Sequence, residues 1–493
     1  MRPTDEQQRA LAMFAAGDSM VIEAGAGTGK TSTLELLARS ARARGQYMAF
    51  NKAIVMEAGR RMPDNVASST AHSLAFRAVG HRYKHRLNSP RMRSTELAER
   101  LRLTPWTVEI GEGTRELHEA YLAGLVMRAI AVFCNSADDE PGVDHVPYID
   151  GIDMPAEGGK RTWDNNREVR RHVLPALGRA WEDLRDPKGQ LPFRHDHYLK
   201  AWQLGRPRID AEFILFDEAQ DASPVMDAVV AAQEHAQVVL VGDANQAIYG
   251  WRGAVNAIAR MRERLPVSML TQSFRFGPAI AEVANLALER LEADLRLRGT
   301  PSIASRVELL ADSDAVLCRT NAVAVQQVLA AKQAGRRPHL VGGGAEVSAF
   351  ARAAAELQAG IRTAHPELAC FVDWSEVQRY VADDPQGSEL RLMVRLVDEY
   401  TVPVILSALE RMPEEKAADL VVSTAHKAKG REWRRVRIAA DFKDEDLGEE
   451  EWRLAYVAVT RARDVLDPGP IGAGSIGQPR LDESPPPTGR GPM

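Results

Sequence analysis

The fold of this chain is decided by one stretch, Ala24-Gly25-Ala26-Gly27-Thr28-Gly29-Lys30-Thr31. It follows the apolar run 20–23 and precedes a helical pattern that starts near Lys30. In this strand–loop–helix setting, glycines let backbone N–H groups cradle phosphate oxygens, and the helix N-terminus adds partial positive charge. Ala24 stands where the general pattern has its first glycine. We therefore expect a nucleotide site, with Lys30 on the β/γ-phosphates and the Thr31 hydroxyl on Mg²⁺.

A second segment, residues 213–221, reads Phe-Ile-Leu-Phe-Asp-Glu-Ala-Gln-Asp. The apolar run predicts a buried strand that delivers Asp217 and Glu218 at its carboxyl end, where open α/β sheets bind ligands. Asp217 is expected to hold Mg²⁺, and Glu218 to orient and deprotonate a water molecule. The alternative of solvated acids at a helix start is disfavoured by the phosphate loop upstream. Together the two segments indicate a P-loop NTPase, a class whose motifs kinases and transporters share.

Other short apolar runs are typical of parallel strands that are covered on both faces. They lie at 47–50, 238–241, 315–317, 420–423 and 436–439. One group of strands falls before about residue 265 and the other after about 310, which predicts an α/β protein with two cores. Helical patterns between and inside these groups predict mainly helical insertions.

Composition narrows the class of protein. The 493 residues predict roughly three domains. The net charge of −5 gives no global positive field, so any contact with nucleic acid must come from a local basic surface. Cys134, Cys318 and Cys370 are isolated, which favours buried or semi-buried thiols over metal ligands or disulfides. The polar N-terminus and the lack of a ~20-residue apolar run predict a soluble intracellular protein without a membrane span.

Further segments, in the right order along the chain, resemble the motifs of UvrD/Rep-type superfamily 1 DNA helicases. Asp-Glu-Ala-Gln-Asp at 217–221 resembles motif II, and Val-Gly-Asp-Ala-Asn-Gln-Ala-Ile-Tyr-Gly-Trp-Arg-Gly-Ala at 241–254 resembles motif III. The other matches are the Q motif at 4–7 and motifs Ia at 49–52, Ib at 69–73, IV at 270–276, V at 422–433 and VI at 456–463.

Smaller matches resemble the F-box DNA helicase branch of this family. They lie at 137–140, 144–147, 198–204, 317–321 and 339–343. The sequence begins at the Q motif with no room for an F-box in front, so it resembles the bare motor of that branch.

The resemblance implies two RecA-like P-loop NTPase cores with mainly helical insertions. The expected divisions are core 1A at 1–85 and 205–265, insertion 1B at 86–204, core 2A at 266–344 and 416–466, a reduced helical insertion 2B at 345–415, and a disordered tail at 467–493.

The resemblance also implies roles at the nucleotide. Gln7 would bond the adenine edge, Phe274 would stack on the base, and Glu432 would accept from a ribose hydroxyl. The nucleotide-binding set is Gln7, residues 24–31, Phe274, Gly430 and Glu432. Gln246 would couple the γ-phosphate to DNA, and Arg275 and Arg461 would reach that phosphate from the second core. Lys30, Asp217, Glu218, Gln246, Arg275 and Arg461 are therefore the expected catalytic residues.

A single strand of DNA needs stacking surfaces and backbone contacts. Tyr249 and Trp251 are the stacking candidates; such a pair usually packs in a core, but the resemblance favours stacking for Trp251. Expected phosphate or sugar contacts are Lys52, Thr70, His72, Arg252, Thr424 and His426. The basic stretch 77–93, which lacks acids, is either a solvated loop or a DNA-binding patch.

Two positions depart from the family pattern. Ala71 replaces an aromatic that stacks a base, and Ser32 replaces an arginine that lies against the adenine. The span between motifs IV and V is also short for this family. We therefore expect translocation along the strand more firmly than efficient unwinding by this protein alone.

The resulting expectation is an ATP- and Mg²⁺-dependent helicase or translocase that moves 3'→5' on single-stranded DNA and acts at single/double-strand junctions. An alternative is a translocase that strips proteins from DNA with little unwinding; a non-motor nucleotide switch is a third hypothesis. The expected form is a monomer, with replication or recombination proteins as further partners. Its expected place is the cytoplasm, in association with the nucleoid, or the host cytoplasm for a viral protein.

Overall fold

The computed structural model describes residues 2–49, 52–87, 92–110, 113–149, 152–153, 164–250, 256–369, 371–383, 388–410, 412–443 and 447–472. Two parallel sheets of six strands organise this part of the chain. The first sheet contains, in spatial order, β3 (Val66–Ser69), β2 (Gly45–Ala49), β6 (Phe213–Asp217), β7 (Gln237–Gly242), β1 (Met20–Ala24) and β8 (Val267–Leu270). The second contains β11 (Arg306–Val307), β16 (Ala462–Asp467), β15 (Trp433–Ile438), β12 (Ala315–Cys318), β14 (Leu420–Thr424) and β13 (Pro338–Leu340).

Helices cover both faces of each sheet. They are α1 (Asp5–Ala15), α2 (Lys30–Ser40), α3 (Lys52–Gly59), α4 (Ala71–Ala78), α5 (Ser94–Arg100), α6 (Glu119–Asn135), α7 (Asn165–Arg185), α8 (His195–Leu204), α9 (Pro224–Ala231), α10 (Ala257–Met261), α11 (Pro278–Arg290), α12 (Asn321–Gln333), α13 (Ala345–Gln358), α14 (Trp374–Asp383), α15 (Ser388–Tyr400), α16 (Val402–Glu410), α17 (Ala425–Ala428) and α18 (Glu449–Val459). Two small sheets complete the set: the antiparallel pair β4 (Trp106–Ile110) and β5 (Gly113–Leu117), and the parallel pair β9 (Gln272–Ser273) and β10 (Arg298–Gly299).

The central strands are mainly apolar because both of their faces are buried. In β1, Met20 and Ile22 pack on the side of α1 and α2, whereas Val21 packs on the opposite side with the first insertion. In the second sheet, Leu317 packs toward α11 and α18, and Val316 packs toward α12. Side chains of a strand alternate between faces, so a strand between two helical layers needs apolar residues at every position. The predicted α/β fold with two cores is confirmed.

The structure corrects two predicted boundaries. Strand β8 pairs with β1, so the first core continues to Leu270 and does not end at residue 265. The disordered tail predicted at 467–493 is wrong for residues 467–472, which have defined structure. Asp467 ends β16, and the following 3-10 helix, Gly469–Gly472, contains the buried Ile471. Residues 473–493 lie outside the described residues, and the division into cores and insertions otherwise remains a prediction.

The first insertion packs on the first sheet through α6, α7 and α8 and also contains the β4–β5 hairpin, which we did not predict. The second insertion consists of α13–α16, which pack on α12 and the second sheet. A salt bridge of 2.7 Å between Arg115 and Glu376 joins the two insertions.

Cys134 and Cys318 are buried as predicted, and Cys370 lies outside the described residues. No helix in the described ranges has the length and apolar character needed to cross a membrane.

Arg86 shows that part of the basic stretch 77–93 is structural. Its guanidinium is buried and pairs with Asp183 at 2.9 Å. It also donates to the carbonyl groups of Asp183, Asp186 and Leu191. By contrast, Arg82 and Lys84 are exposed. Residues 88–91 lie outside the described residues.

We expect Arg86→Ala to destabilise the protein by about 3 kcal/mol, because removing one partner of a buried ion pair leaves the Asp183 carboxylate and the bonded carbonyl groups without a donor. Urea unfolding of the wild-type protein and of Arg86→Ala measures this loss. Arg82→Ala is the matched control, because its side chain is exposed. Equal stability of the two variants would contradict the structural role of Arg86.

Candidate functional site

The P-loop has the predicted strand–loop–helix geometry. It leaves the carboxyl end of β1, and Gly29 caps the start of α2 with a left-handed φ of +82°. Gly27 also has a positive φ, +74°, and a Cβ there would lie 2.7 Å from the Arg275 Cβ. Glycine is therefore needed at position 27 for two reasons, the backbone conformation and the close approach of the segment around Arg275. Lys30 and Thr31 form the first turn of α2, at the bottom of the cleft between the cores.

The acidic pair lies beside this loop, as predicted. Asp217 ends β6, and its Oδ2 accepts from the Thr31 hydroxyl at 3.3 Å and from the Tyr47 hydroxyl at 2.8 Å. Glu218 Oε2 lies 3.6 Å from Lys30 Nζ. The hydroxyl of Thr31 and the carboxylate of Asp217 are hard oxygen ligands, and they converge as an Mg²⁺ site between them requires.

Burial and the neighbouring Glu218 carboxylate raise the pKa of Asp217 to about 6. Burial also acts to raise the pKa of Glu218, but the ammonium groups of Lys30 and Lys429 outweigh it and lower the pKa of Glu218 below its ordinary value. Glu218 is therefore ionised at neutral pH, as a group that accepts a proton from water must be.

Gln220 joins the acidic pair to the next strand. Its amide nitrogen donates to Glu218 Oε2 at 2.5 Å, and its amide oxygen accepts from the backbone N–H of Asp243 at 3.1 Å. Asp243 in turn accepts from the Gln246 amide at 2.7 Å. The sequence prediction gave no role to Gln220 or Asp243, although both lie inside the quoted motifs.

Cationic residues of the second core line the same cleft, among them Arg275, Lys429 and Arg461. Arg461 is buried, and its Nη2 donates to Gln246 Oε1 at 3.3 Å. Lys429 Nζ donates to Asp221 Oδ1 at 2.7 Å and to the carbonyl of Gln246 at 2.6 Å. Arg275 lines the cleft but is held by Glu432 at 2.9 Å and by the Thr460 carbonyl at 2.8 Å. Lys429 was missed by the sequence prediction, although it stands within the segment 422–433.

The residues expected around the base lie at one end of the cleft. Phe274 is 45% exposed, and a Cβ on Gly29 would lie 3.8 Å from its ring. Gln7 is also near this point, but its amide bonds the Thr4 backbone N–H at 3.0 Å and the Thr33 hydroxyl at 3.1 Å. The wall also contains Gly430 and Glu432. The structure thus brings the expected nucleotide residues together and leaves the exposed ring of Phe274 facing the cleft.

Arg61 lies beside Ser32, the position where the family pattern has an arginine, and pairs with Glu35 at 2.7 Å. Its Nη2 donates to the Ser32 hydroxyl at 3.0 Å, and both residues line the cleft. Arg61 comes from the loop after α3, far from Ser32 in sequence, so the pattern of the P-loop could not reveal it.

The expected DNA contacts lie on both cores. Thr70 caps α4 and Thr424 caps α17, each accepting from a backbone N–H with its side chain. The same tetrapeptide, Ser-Thr-Ala-His, stands at 69–72 and at 423–426, where a strand passes into a helix. His72 bonds Asp196 at 3.0 Å, which the sequence did not predict. This repeated tetrapeptide is a sequence signal that the prediction overlooked.

The remaining DNA candidates differ in their surroundings. Lys52 is exposed on α3. The Tyr249 hydroxyl donates to the carbonyl of His426 at 3.2 Å, and Lys429 lies over its ring at 5.3 Å. Tyr249 therefore contacts the second core. Trp251 and Arg252 lie outside the described residues.

The chain matches two family models. The model described as an AAA domain matches residues 7–252, and the UvrD-like helicase C-terminal domain matches residues 419–466. Together these matches include the P-loop, the acidic pair, Gln246 and Arg461.

Curated relatives extend the match over most of the sequence. "F-box DNA helicase 1" of Gallus gallus is 30% identical over 94% of this chain, and "F-box DNA helicase protein 1" of Schizosaccharomyces pombe is 29% identical over 91%. The alignments cover 48% and 55% of those relatives, so the chain spans about half the length of the curated relatives it matches. "DNA helicase II" of Salmonella typhimurium is 30% identical over 32% of this chain and 21% of its own length. The order of the motifs, the cleft between two cores and these matches lead to one conclusion: the chain carries an AAA domain followed by a UvrD-like helicase C-terminal domain.

Proposed function

We propose that this protein is a DNA-dependent ATPase that moves 3'→5' along single-stranded DNA and uses this movement to unwind duplex at junctions. The observation that carries the proposal is the cleft of about 1540 Å³ in which Lys30 and Glu218 of the first core face Arg461 of the second. A nucleotide bound there would touch both cores, so its binding and hydrolysis would change their separation.

The proposed chemistry follows from the positions of the side chains. Lys30 and the P-loop N–H groups bind the phosphates, and Glu218 orients the attacking water and takes its proton. Thr31 and Asp217 would hold Mg²⁺, which neutralises phosphate charge when bound. Arg461, with Arg275 released from Glu432, stabilises the charge on the transferred phosphoryl group.

DNA is proposed to lie across both cores. The two Ser-Thr-Ala-His segments place a threonine and a histidine at a strand-to-helix turn on the first and the second core, where polar side chains can contact phosphate groups. When the cleft closes, these two points approach each other along the strand. Gln246 and Lys429 connect this movement to the nucleotide, because both bond across the core boundary.

The test of the proposal is ATP hydrolysis without DNA, with poly(dT) and with blunt duplex. We expect strong stimulation by the single strand and little by the duplex. Hydrolysis that is indifferent to DNA would contradict the motor and favour a nucleotide switch.

Phe274→Ala is expected to raise the KM for ATP about tenfold, because stacking on a base is worth about 1–3 kcal/mol. The kcat should change little, since the ring lies away from the phosphates. Steady-state kinetics with saturating poly(dT) measures both constants, and Phe274→Tyr is the control that keeps an aromatic ring. An unchanged KM in the alanine variant would show that the base lies elsewhere.

A further inference from the structure

The hydroxyl of Tyr456 joins the two cores at a point with no role in the chemistry above. Tyr456 lies on α18 of the second core and is fully buried. Its hydroxyl donates to Asp243 Oδ2 at 3.0 Å and accepts from the Ala26 N–H at 3.2 Å. Both partners belong to the first core: Ala26 is in the P-loop, and Asp243 follows β7.

The chemistry of the partners fixes the direction of both hydrogen bonds. A backbone N–H can only donate, so the hydroxyl oxygen accepts from Ala26 and the hydroxyl proton points at Asp243. A buried hydroxyl without partners is costly. Because both partners lie on the other core, separating the cores breaks both bonds at once. The hydroxyl therefore favours the closed arrangement of the P-loop, β7 and α18.

Asp243 connects the Tyr456 hydroxyl to Gln246 and Arg461, two of the expected catalytic residues. The oxygen that accepts from Tyr456 also accepts from the Gln246 amide nitrogen at 2.7 Å. That bond turns the amide oxygen of Gln246 toward Arg461, which donates to it at 3.3 Å. Arg461 lies two residues after the end of α18, the helix that carries Tyr456. These hydrogen bonds, together with α18, thus connect Tyr456, Asp243, Gln246 and Arg461 across the boundary between the cores.

We propose that the Tyr456 hydroxyl is a positioning group that orients Gln246 and Arg461 toward the γ-phosphate when the cores close. This inference rests on the proposed function, since it concerns the same nucleotide cleft. The competing explanation is packing, because the ring lies in the apolar core of the second domain among Phe276 and Leu454. The ring and the hydroxyl can be separated experimentally, because phenylalanine keeps the ring and removes one oxygen.

The experiment compares Tyr456→Phe with Tyr83→Phe in the full chain. Tyr83 is the matched control: it is buried, and its hydroxyl bonds the carbonyl of Arg185 at 2.7 Å, away from the cleft. We expect the kcat with saturating poly(dT) to fall about tenfold or more in Tyr456→Phe, because a buried hydrogen bond that orients Gln246 is lost, while the KM for ATP changes less than about twofold. Tyr83→Phe should keep both constants.

A double variant makes the test sharper. If Tyr456 acts through Gln246, Tyr456→Phe should add little to the defect of Gln246→Ala. Additive losses, an unchanged kcat in Tyr456→Phe, or a parallel fall in kcat and in melting temperature beyond that of Tyr83→Phe would overturn the inference. These results are distinct from failure of the proposed function, in which the wild-type protein itself would show no stimulation by poly(dT).

Discussion

Glu218→Gln should lower the kcat for ATP hydrolysis by about 10²–10⁴-fold, the usual contribution of a positioned general base. The amide keeps the size of the side chain and can still meet Gln220, but it cannot take a proton from water. Binding of ATP should persist, because the P-loop and Lys30 remain. Loss of the carboxylate next to Lys30 also removes a repulsion toward the phosphates, so binding is not expected to weaken.

Steady-state hydrolysis and binding of a fluorescent ATP analogue measure these two properties separately. Glu212→Gln is a matched control, since Glu212 immediately precedes the same strand, β6, at its opposite end. Hydrolysis within a factor of two of wild type in Glu218→Gln would remove Glu218 from the catalytic role.

Arg461→Ala should lower the DNA-stimulated kcat by about 10³–10⁵-fold, the range known for an arginine that contacts a transferred phosphoryl group. Burial lowers the pKa of Arg461 to about 9, which still leaves the guanidinium charged at neutral pH. Its partner Gln246 lies in the first core, so the variant also loses a contact between the cores. Arg461→Lys should recover only part of the activity, because an ammonium group lacks the planar fork of the guanidinium.

The control for this variant is Arg434→Ala, which removes an exposed arginine of β15 that pairs with Asp464. It should leave hydrolysis unchanged. A kcat in Arg461→Ala close to that of Arg434→Ala would mean that Arg461 does not contact the transferred phosphoryl group.

The parts of the site that could be predicted from the sequence are those set by local patterns. The P-loop, the acidic pair after β6 and the positions of Arg275 and Arg461 each lie in a short motif whose spacing determines the local structure. The same applies to the strands with continuous apolar runs, such as β6 and β12. The β4–β5 hairpin also has a local signal, the alternation of apolar and polar side chains in 106–110. We did not predict it because most of its residues are exposed and the surrounding sequence is polar.

The remaining features depend on residues that are distant in sequence. Tyr47 bonds Asp217 across 170 residues, and Ala26 bonds Tyr456 across 430. Arg86 reads as part of a basic stretch, yet it is buried against the end of α7. Arg61 bonds Ser32 from a loop 29 residues away. Each of these contacts is created by the folding of the sheets and insertions onto one another, which no single motif specifies.

The central claim, ATP-driven movement along single-stranded DNA, is tested most directly by displacing streptavidin from biotinylated oligonucleotides. The account predicts that the wild-type protein with ATP removes streptavidin from the 5' end and not from the 3' end, and that Glu218→Gln removes it from neither. Displacement with little unwinding of a tailed duplex would favour the protein-stripping alternative within the same motor. ATP hydrolysis stimulated by poly(dT) but without displacement from either end would contradict the claim that this protein moves along DNA.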